Sequence, residues 1–258
     1  MKYKFKEMGK NAIIIIFMLV LTACSNSEPT NTSVPSNPLL VGKLKRINNV
    51  NPDGNNVYGT LTYDDNGRVI KYVEENETST FIISTREFTR NQSGVITKMI
   101  FTDINANQQV ITDFVVDVNG KYLSSIKTKP GTTAEPLSST YVYQNNLISQ
   151  INYSDGIKTR YTYGANRNVI KIEESYNDNT WQTSATYGYD NKINPYELEF
   201  PIWNRCGSNN IVSTTGGQSI IQTQYVYNVE NKPVKATNIL TNSANNSTQT
   251  RIIEYTYY

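Results

Sequence analysis

The strongest constraint on this chain is a short unit that it writes again and again. Arg160–Ile172 reads RYTYGANRNVIKI. Tyr161 and Tyr163 alternate with polar residues, Gly164–Asn168 is a polar run, and Val169-Ile170-Lys171-Ile172 leads out of it. Apolar residues at period two on both sides of Gly- and Asn-rich turn chemistry predict strand, turn, strand. The unit recurs about seven times between Tyr58 and Tyr258. Leu61–Tyr72 turns at Asn66-Gly67, Glu87–Phe101 at Ser93-Gly94, Phe114–Ile126 at Asn119-Gly120 and Thr140–Tyr153 at Asn145-Asn146. These are positions where φ > 0 is needed and where Gly or Asn adopts it at little cost. Thr223–Leu240 turns through Glu230-Asn231-Lys232. Ala185–Phe200 is a degenerate copy, because Pro195 falls where its return strand should pair. Arg251–Tyr258 reads as a last strand with no partner after it.

The anchor positions of the copies are Tyr63, Phe88, Val116, Tyr143, Tyr163, Tyr189, Tyr227 and Tyr257, separated by 20 to 38 residues. Such drift argues against a stacked solenoid and suits an antiparallel meander with outer loops of varying length. The expected fold is therefore all-β: an antiparallel meander of repeated hairpins forming a long twisted sheet, as one domain over residues 39–258. Modest apolar content and many tyrosines predict one buried face or a thin core capped by Tyr rings. Leu39–Val50 is the predicted entering strand, and no helical period with caps exceeds two turns after residue 24.

Tyr63-Asp64-Asp65-Asn66-Gly67-Arg68-Val69 resembles the unit of the YD-repeat (Rhs-like) family, roughly Y-D-x-x-G-R-L. The other copies keep the aromatic and the apolar return strand but usually lose the Asp or the Gly. Over residues 58–258 the chain is similar to the uncharacterised YD-like repeat lipoproteins of Bacteroidetes. The run Tyr189–Tyr196 followed by Ser208-Asn209-Asn210-Ile211 is similar to a recurrent feature of that group. The resemblance implies an open repeat sheet and carries no activity with it.

The first residues read as an export signal. Lys2, Lys4, Lys6 and Lys10 precede the ten-residue apolar core Ala12–Leu21, too short to span roughly 30 Å of hydrocarbon. Leu21-Thr22-Ala23-Cys24 matches the bacterial lipobox. The expectation is a lipoprotein signal peptide over 1–23, cleavage before Cys24, and lipidation of its thiol and new amine. Residues 24–38 follow as a tether of Ser, Thr, Asn and Pro with too little apolar surface to fold. Lipid on Cys24 makes the membrane the first expected partner and puts the domain at the outer membrane, on the periplasmic face or the cell surface.

Removing the signal takes a net +3 from a chain whose total is +2, leaving a mature domain near −1. It has no electrostatic footprint for nucleic acid. The chain has no His. That removes Ser-His-Asp and Cys-His catalysis and His-ligated zinc, and the chain is read as no enzyme and as needing no cofactor. With Cys24 lipidated, Cys206 is the one remaining thiol, in a stretch that breaks the repeat; a buried small residue and a thiol activated by Arg205 are the two readings of it. Glu173-Glu174, Glu197 with Glu199, and Asp64-Asp65 are the acids a glycosidase pair would have to come from. Glu173 and Glu174, as neighbours on a strand, point to opposite faces. Asp103-Ile104-Asn105-Ala106-Asn107 matches the start of a calcium loop, but Gln108 and Phe114 stand where its Gly and Glu belong, so it reads as a connecting turn and no metal site is expected.

The aromatic residues carry what functional signal there is. Trp181, Trp203, Tyr176 and Tyr196 lie at turns or in the non-repeat insert and are the candidate ligand contacts, since Trp and Tyr beside Asn stack on and hydrogen-bond to sugars. The competing reading is that the tyrosines fill the sheet core and the tryptophans plug its end. The resulting expectation is a lipid-anchored, non-enzymatic β-repeat envelope protein serving as a binding or structural module. Beside it stand an accessory carbohydrate-binding lipoprotein and, behind both, a glycan-acting hydrolase with paired carboxylates. A glycan or an envelope protein is the expected partner class. The final strand Arg251–Tyr258 is a predicted site of strand addition.

Overall fold

The computed structural model of the chain describes residues 38–51, 54–79, 81–176, 180–195 and 207–258. A 3-10 turn at Pro38–Leu40 leads into sixteen strands. These are β1 (Leu44–Val50), β2 (Val57–Tyr63), β3 (Val69–Asn76), β4 (Ile82–Arg90), β5 (Ile96–Asp103), β6 (Gln108–Val116), β7 (Tyr122–Thr128) and β8 (Leu137–Gln144). They continue as β9 (Leu147–Tyr153), β10 (Ile157–Tyr163), β11 (Val169–Tyr176), β12 (Trp181–Ile193), β13 (Asn209–Gly216), β14 (Ser219–Tyr227), β15 (Pro233–Asn242) and β16 (Ser247–Tyr257). Every strand pairs antiparallel with its sequence neighbours, and β16 pairs with β1, at Leu44↔Tyr257 and Val50↔Ile252.

The sheet is therefore a closed up-and-down barrel and not the open twisted meander expected from the YD-like repeat. The copies are real as hairpins, but they run around a ring. Closure also corrects the reading of the last strand. Arg251–Tyr257 is paired on both sides, with Tyr258 and Lys43 adding a reciprocal backbone contact (Tyr258 N to Lys43 O, 2.9 Å) and Gly42 N donating to Tyr258 O at 2.9 Å. No edge is left there for a partner strand.

The turns explain why the hairpins form where they do. In five of them, one backbone N–H–O pair closes the loop: Asp64 N to Arg68 O, Asn91 N to Val95 O, Asp117 N to Lys121 O, Gly164 N to Asn168 O and Asn228 N to Lys232 O. The residue two positions before the return strand is left-handed in each: Gly67 (φ 67), Gly94 (φ 84), Gly120 (φ 80), Arg167 (φ 62) and Asn231 (φ 60). At Asp64, Asp117 and Asn228 the side-chain oxygen also accepts the amides two and four residues on, mimicking a backbone turn. The pairing slips by one residue beside each of these turns, as at Thr62/Tyr63 and Thr162/Tyr163. Such bulges bend a strand and increase its twist, which helps a long sheet curl onto itself. All these turns lie at one end of the barrel, with the point where the chain enters β1.

The buried apolar residues lie on the inner face. Leu44, Ile47, Leu61, Val69, Tyr72, Phe88, Ile96, Phe114, Ala236, Ile253 and Tyr255 form one cluster, and Val169 and Tyr187 form the centre of a second. Tyr63, Tyr122, Tyr225 and Tyr257 pack on the first, and Tyr161, Tyr163 and Tyr189 on the second. The recurring aromatic has a second task. Tyr63, Tyr163, Tyr189 and Tyr257 each donate a hydroxyl hydrogen bond to a carbonyl at the start of the preceding strand, at Leu44, Ile148, Val169 and Pro233. A Tyr can thus pack its ring inward and still satisfy its hydroxyl and a bulge-side carbonyl.

Candidate functional site

A barrel of this size presents three surfaces that can do something: its wall, its interior and its ends. The outer wall follows from the strand register. Residues alternating with the buried set are mostly polar: Thr60, Thr85, Thr102, Gln109, Thr140, Gln150, Gln222 and Thr237 pair across neighbouring strands on this face. Ion pairs cross it as well. Lys71 meets Glu87 at 2.7 Å, Lys98 meets Asp113 at 3.6 Å, and Glu173 is held by Arg160 at 2.8 Å and Lys171 at 2.7 Å. The Arg160 and Lys171 side chains pull the Glu173 carboxyl down to about 2 against the effect of its burial. Among the described residues most aromatic rings turn inward, and Tyr58 and Trp181 on the wall do not form a girdle. Exposed aliphatic residues do occur on it (Val115, Leu123, Ile126 and Val142 among them), interspersed with Ser, Thr and Asp113.

The interior is apolar towards the turn end and more polar beyond the middle. Glu74 on β3 accepts from Ser84 and, at 3.3 Å, from Tyr72, and it lies 3.4 Å from the Arg86 guanidinium. Arg86, 5% exposed, sits over the rings of Tyr72 (5.3 Å) and Phe101 (5.0 Å). Gly59 faces this group: a Cβ there would lie 2.1 Å from the Tyr72 hydroxyl. The glycine makes room for the ring that caps the charge pair. Glu174, also inward, accepts from Tyr176, and burial raises its carboxyl pKa above the ordinary value. At the same level the carboxamide of Asn238 and the side-chain oxygens of Asn49 and Thr112 are buried without a protein partner.

The residues singled out in the sequence are not brought together. Trp181 starts β12 on the outer wall, opposite Ser175, with the Arg160 guanidinium 4.3 Å above its ring. It covers the Arg160–Glu173 pair. Tyr176 points inward to Glu174. The two candidate contacts are thus on opposite sides of the wall. Trp203, Tyr196, Cys24 and Cys206 lie outside the described residues, as do Glu197 and Glu199. Glu173 and Glu174 face opposite sides, and Asp64 is occupied with its own turn and Arg68. Burial pushes the Asp64 carboxyl up, but hydrogen bonds from the Arg68 side chain and the Arg68 and Asn66 amides outweigh it and hold it below the usual range. Asp103 accepts from the Ala106 amide at 2.9 Å in the β5–β6 hairpin, and no group of three or more acidic or Cys side chains placed for a metal occurs among the described residues. The interior Tyr72–Glu74–Ser84–Arg86 group was missed because Glu74 and Arg86 fall on an inward register visible only once the sheet is closed.

The turn end carries an open pocket of about 500 Å³ between the entering chain (Leu39, Lys43), the end of β12 (Lys192, Ile193) and the β14–β15 turn (Glu230, Lys232). Below it, Asp190 accepts from the Lys192 and Asn210 amides and from the Tyr227 hydroxyl. Burial and the neighbouring carboxylate push the Tyr227 phenol well above its ordinary pKa, so it remains a donor. Asn210 adds bonds to the Lys192 and Ile193 carbonyls. This network holds the two strands flanking the long insert.

No known family matches the chain, and no curated protein does. Among solved structures, a porin-like protein from Bacteroides uniformis superposes with a TM-score of 0.57 at 14% identity, covering 84% of this chain and 98% of that one. A porin-like protein from Bacteroides vulgatus gives a TM-score of 0.51 at 12% identity, covering 84% and 99%. At such identities the likeness is one of fold. It overturns the assignment to the YD-repeat (Rhs-like) lipoproteins, and with it the reading of the chain as a β-repeat module, a sugar-capturing accessory or a glycan hydrolase built on an open sheet. The class that the fold defines is the closed sixteen-stranded barrel.

Proposed function

We propose that this protein is a non-enzymatic, outer-membrane-associated β-barrel that is held by the lipid on Cys24 and keeps its wall in water. The fold likeness to the porin-like proteins supports the barrel and the envelope setting. The observation that carries the rest is the polarity of the outer wall. A barrel that crosses a membrane shows lipid an apolar band roughly 25 Å tall, bounded by aromatic girdles, and a polar lumen. Here most tyrosines turn inward among aliphatic residues, and the wall mixes Thr, Gln, Lys and Glu with scattered aliphatic residues. Each Lys or Arg on a lipid-facing wall costs about 2–4 kcal/mol at mid-depth. Lys71, Lys98, Arg160, Lys171 and Lys235 together make spanning unfavourable.

A protease site placed within residues 25–37 of the full lipidated chain tests this in isolated outer membranes. Cutting it is expected to release a folded barrel into a detergent-free, high-salt wash. Retention until detergent is added is the result expected of a spanning barrel and would overturn the proposal.

A further inference from the structure

We propose that the turn end of the barrel is a membrane-docking face, seated on an anionic lipid surface while the opposite end points away from it. This rests on the lipid-anchored reading above and adds an orientation to it. The chain enters the barrel at this end, through Pro38–Lys43, with Gly42 bonded to Tyr258 beside it. Thirteen residues separate Cys24 from Pro38, a reach of at most roughly 45 Å. Anchored lipid therefore keeps this end close to the bilayer whatever the barrel does, and even a weak surface contact is favoured by the high effective concentration that a short link creates.

The chemistry of the end fits that neighbour. Val118 and Val229, at the tips of the β6–β7 and β14–β15 turns, are fully exposed, and Val41 (65%), Ile193 (64%) and Leu39 (55%) project beside them. Five exposed aliphatic side chains at this end, two of them at the tips of short turns, match shallow insertion at the headgroup boundary. Around them stand Lys43, Arg68, Lys121, Arg167, Lys192 and Lys232. Five acids stand among them: Asp64 and Asp117 accept amides of their own turns, Asp190 accepts Tyr227, Glu230 pairs with Lys232 at 2.7 Å and Asp65 is exposed, so six cations against five acids leave this end at about +1. The opposite end has the reverse balance: among the described residues, Glu77, Asp103, Glu135 and Asp155 lie there with Lys129. An anionic headgroup surface attracts the first end and repels the second. The end that then faces the aqueous space is the one nearer the polar interior layer of Glu74, Arg86 and Glu174.

An environment-sensitive dye on the full lipidated chain reads this directly. With Cys206→Ser as background, the dye is placed at Val118→Cys, at Val229→Cys or, at the far end, at Ile104→Cys, and the protein is reconstituted on vesicles containing phosphatidylglycerol. The expected result is a blue-shifted emission, several-fold protected from an aqueous quencher, at 118 and 229 and not at 104. Flotation with the vesicles and equal quenching at all three sites overturns the docking face while leaving the anchor intact. Failure to float overturns the anchor and the orientation with it. Because residues 118 and 229 are fully exposed, their replacement leaves the barrel folded, and circular dichroism matching the parent chain verifies this.

Discussion

Single residues show how little freedom the turns and the interior leave. Glu173 and Glu174 are neighbours on β11 with opposite fates. Glu173, on the wall, is held down to about 2 by Arg160 and Lys171, so its contribution to stability is present above the ordinary value of 4.5 and is lost as pH falls through about 2. Glu174, facing inward, is raised by burial. Its folded form keeps a proton more readily than the unfolded chain does, so its contribution is complete below 4.5 and is lost as pH rises through the raised value. Glu174→Gln keeps a partner for the Tyr176 hydroxyl and removes the buried charge. Its urea midpoint, relative to the parent, is expected to rise between pH 4.5 and 8; a difference that stays constant over that range rejects the account. Neither environment was legible in the letters EE. Alternation alone places the two on opposite faces, but which face is the inside depends on closure.

The hairpins are the elements in which sequence speaks most directly. Asn66-Gly67, Ser93-Gly94, Asn119-Gly120 and Asn145-Asn146 all fall in turns, because a left-handed backbone position is a local steric demand that Gly and Asn meet cheaply. Arg167 occupies the same left-handed position, φ 62, that Gly67, Gly94 and Gly120 occupy in the sister turns. Arg167→Gly is therefore expected to stabilise the protein by about 0.5–1 kcal/mol, read as a higher urea midpoint at unchanged slope. A lower midpoint would mean that the arginine side chain supplies more than its backbone costs. The long insert after β12 was legible as a break, from Pro195 and the 38-residue spacing. The work of its flanks was not: the bonds among Asp190, Asn210 and Tyr227 join residues that are 17 to 37 positions apart.

At the scale of the whole molecule the decisive contact is β1 with β16. In an open sheet of sixteen strands, at roughly 4.8 Å each, the first and last would lie some 70 Å apart. In the barrel, Gly42 N is 2.9 Å from Tyr258 O. A circular permutant that joins Tyr258 to Gly42 by a few glycines and opens the chain between Asn145 and Asn146 is expected to fold, with a melting temperature within several degrees of the parent. An open sheet could not bear that junction, and an unfolded or aggregated permutant beside a well-folded parent rejects closure. The wall's polarity belongs to this scale too, because which residues face outward follows from the register around the whole ring.

What the sequence determined by itself is local: strands from period-two alternation, turns from Gly and Asn at left-handed positions, and a chain without histidine chemistry. Each of these follows from a few neighbouring residues. The tertiary structure alone decided that eight hairpins make a ring and that the tyrosine face is the inside. It also decided that the end where the chain enters β1 and the polar interior lie towards opposite ends of one axis. Closure depends on small bends and twists summed over sixteen strands, and on two edges more than 200 residues apart finding each other. No window of sequence holds that sum.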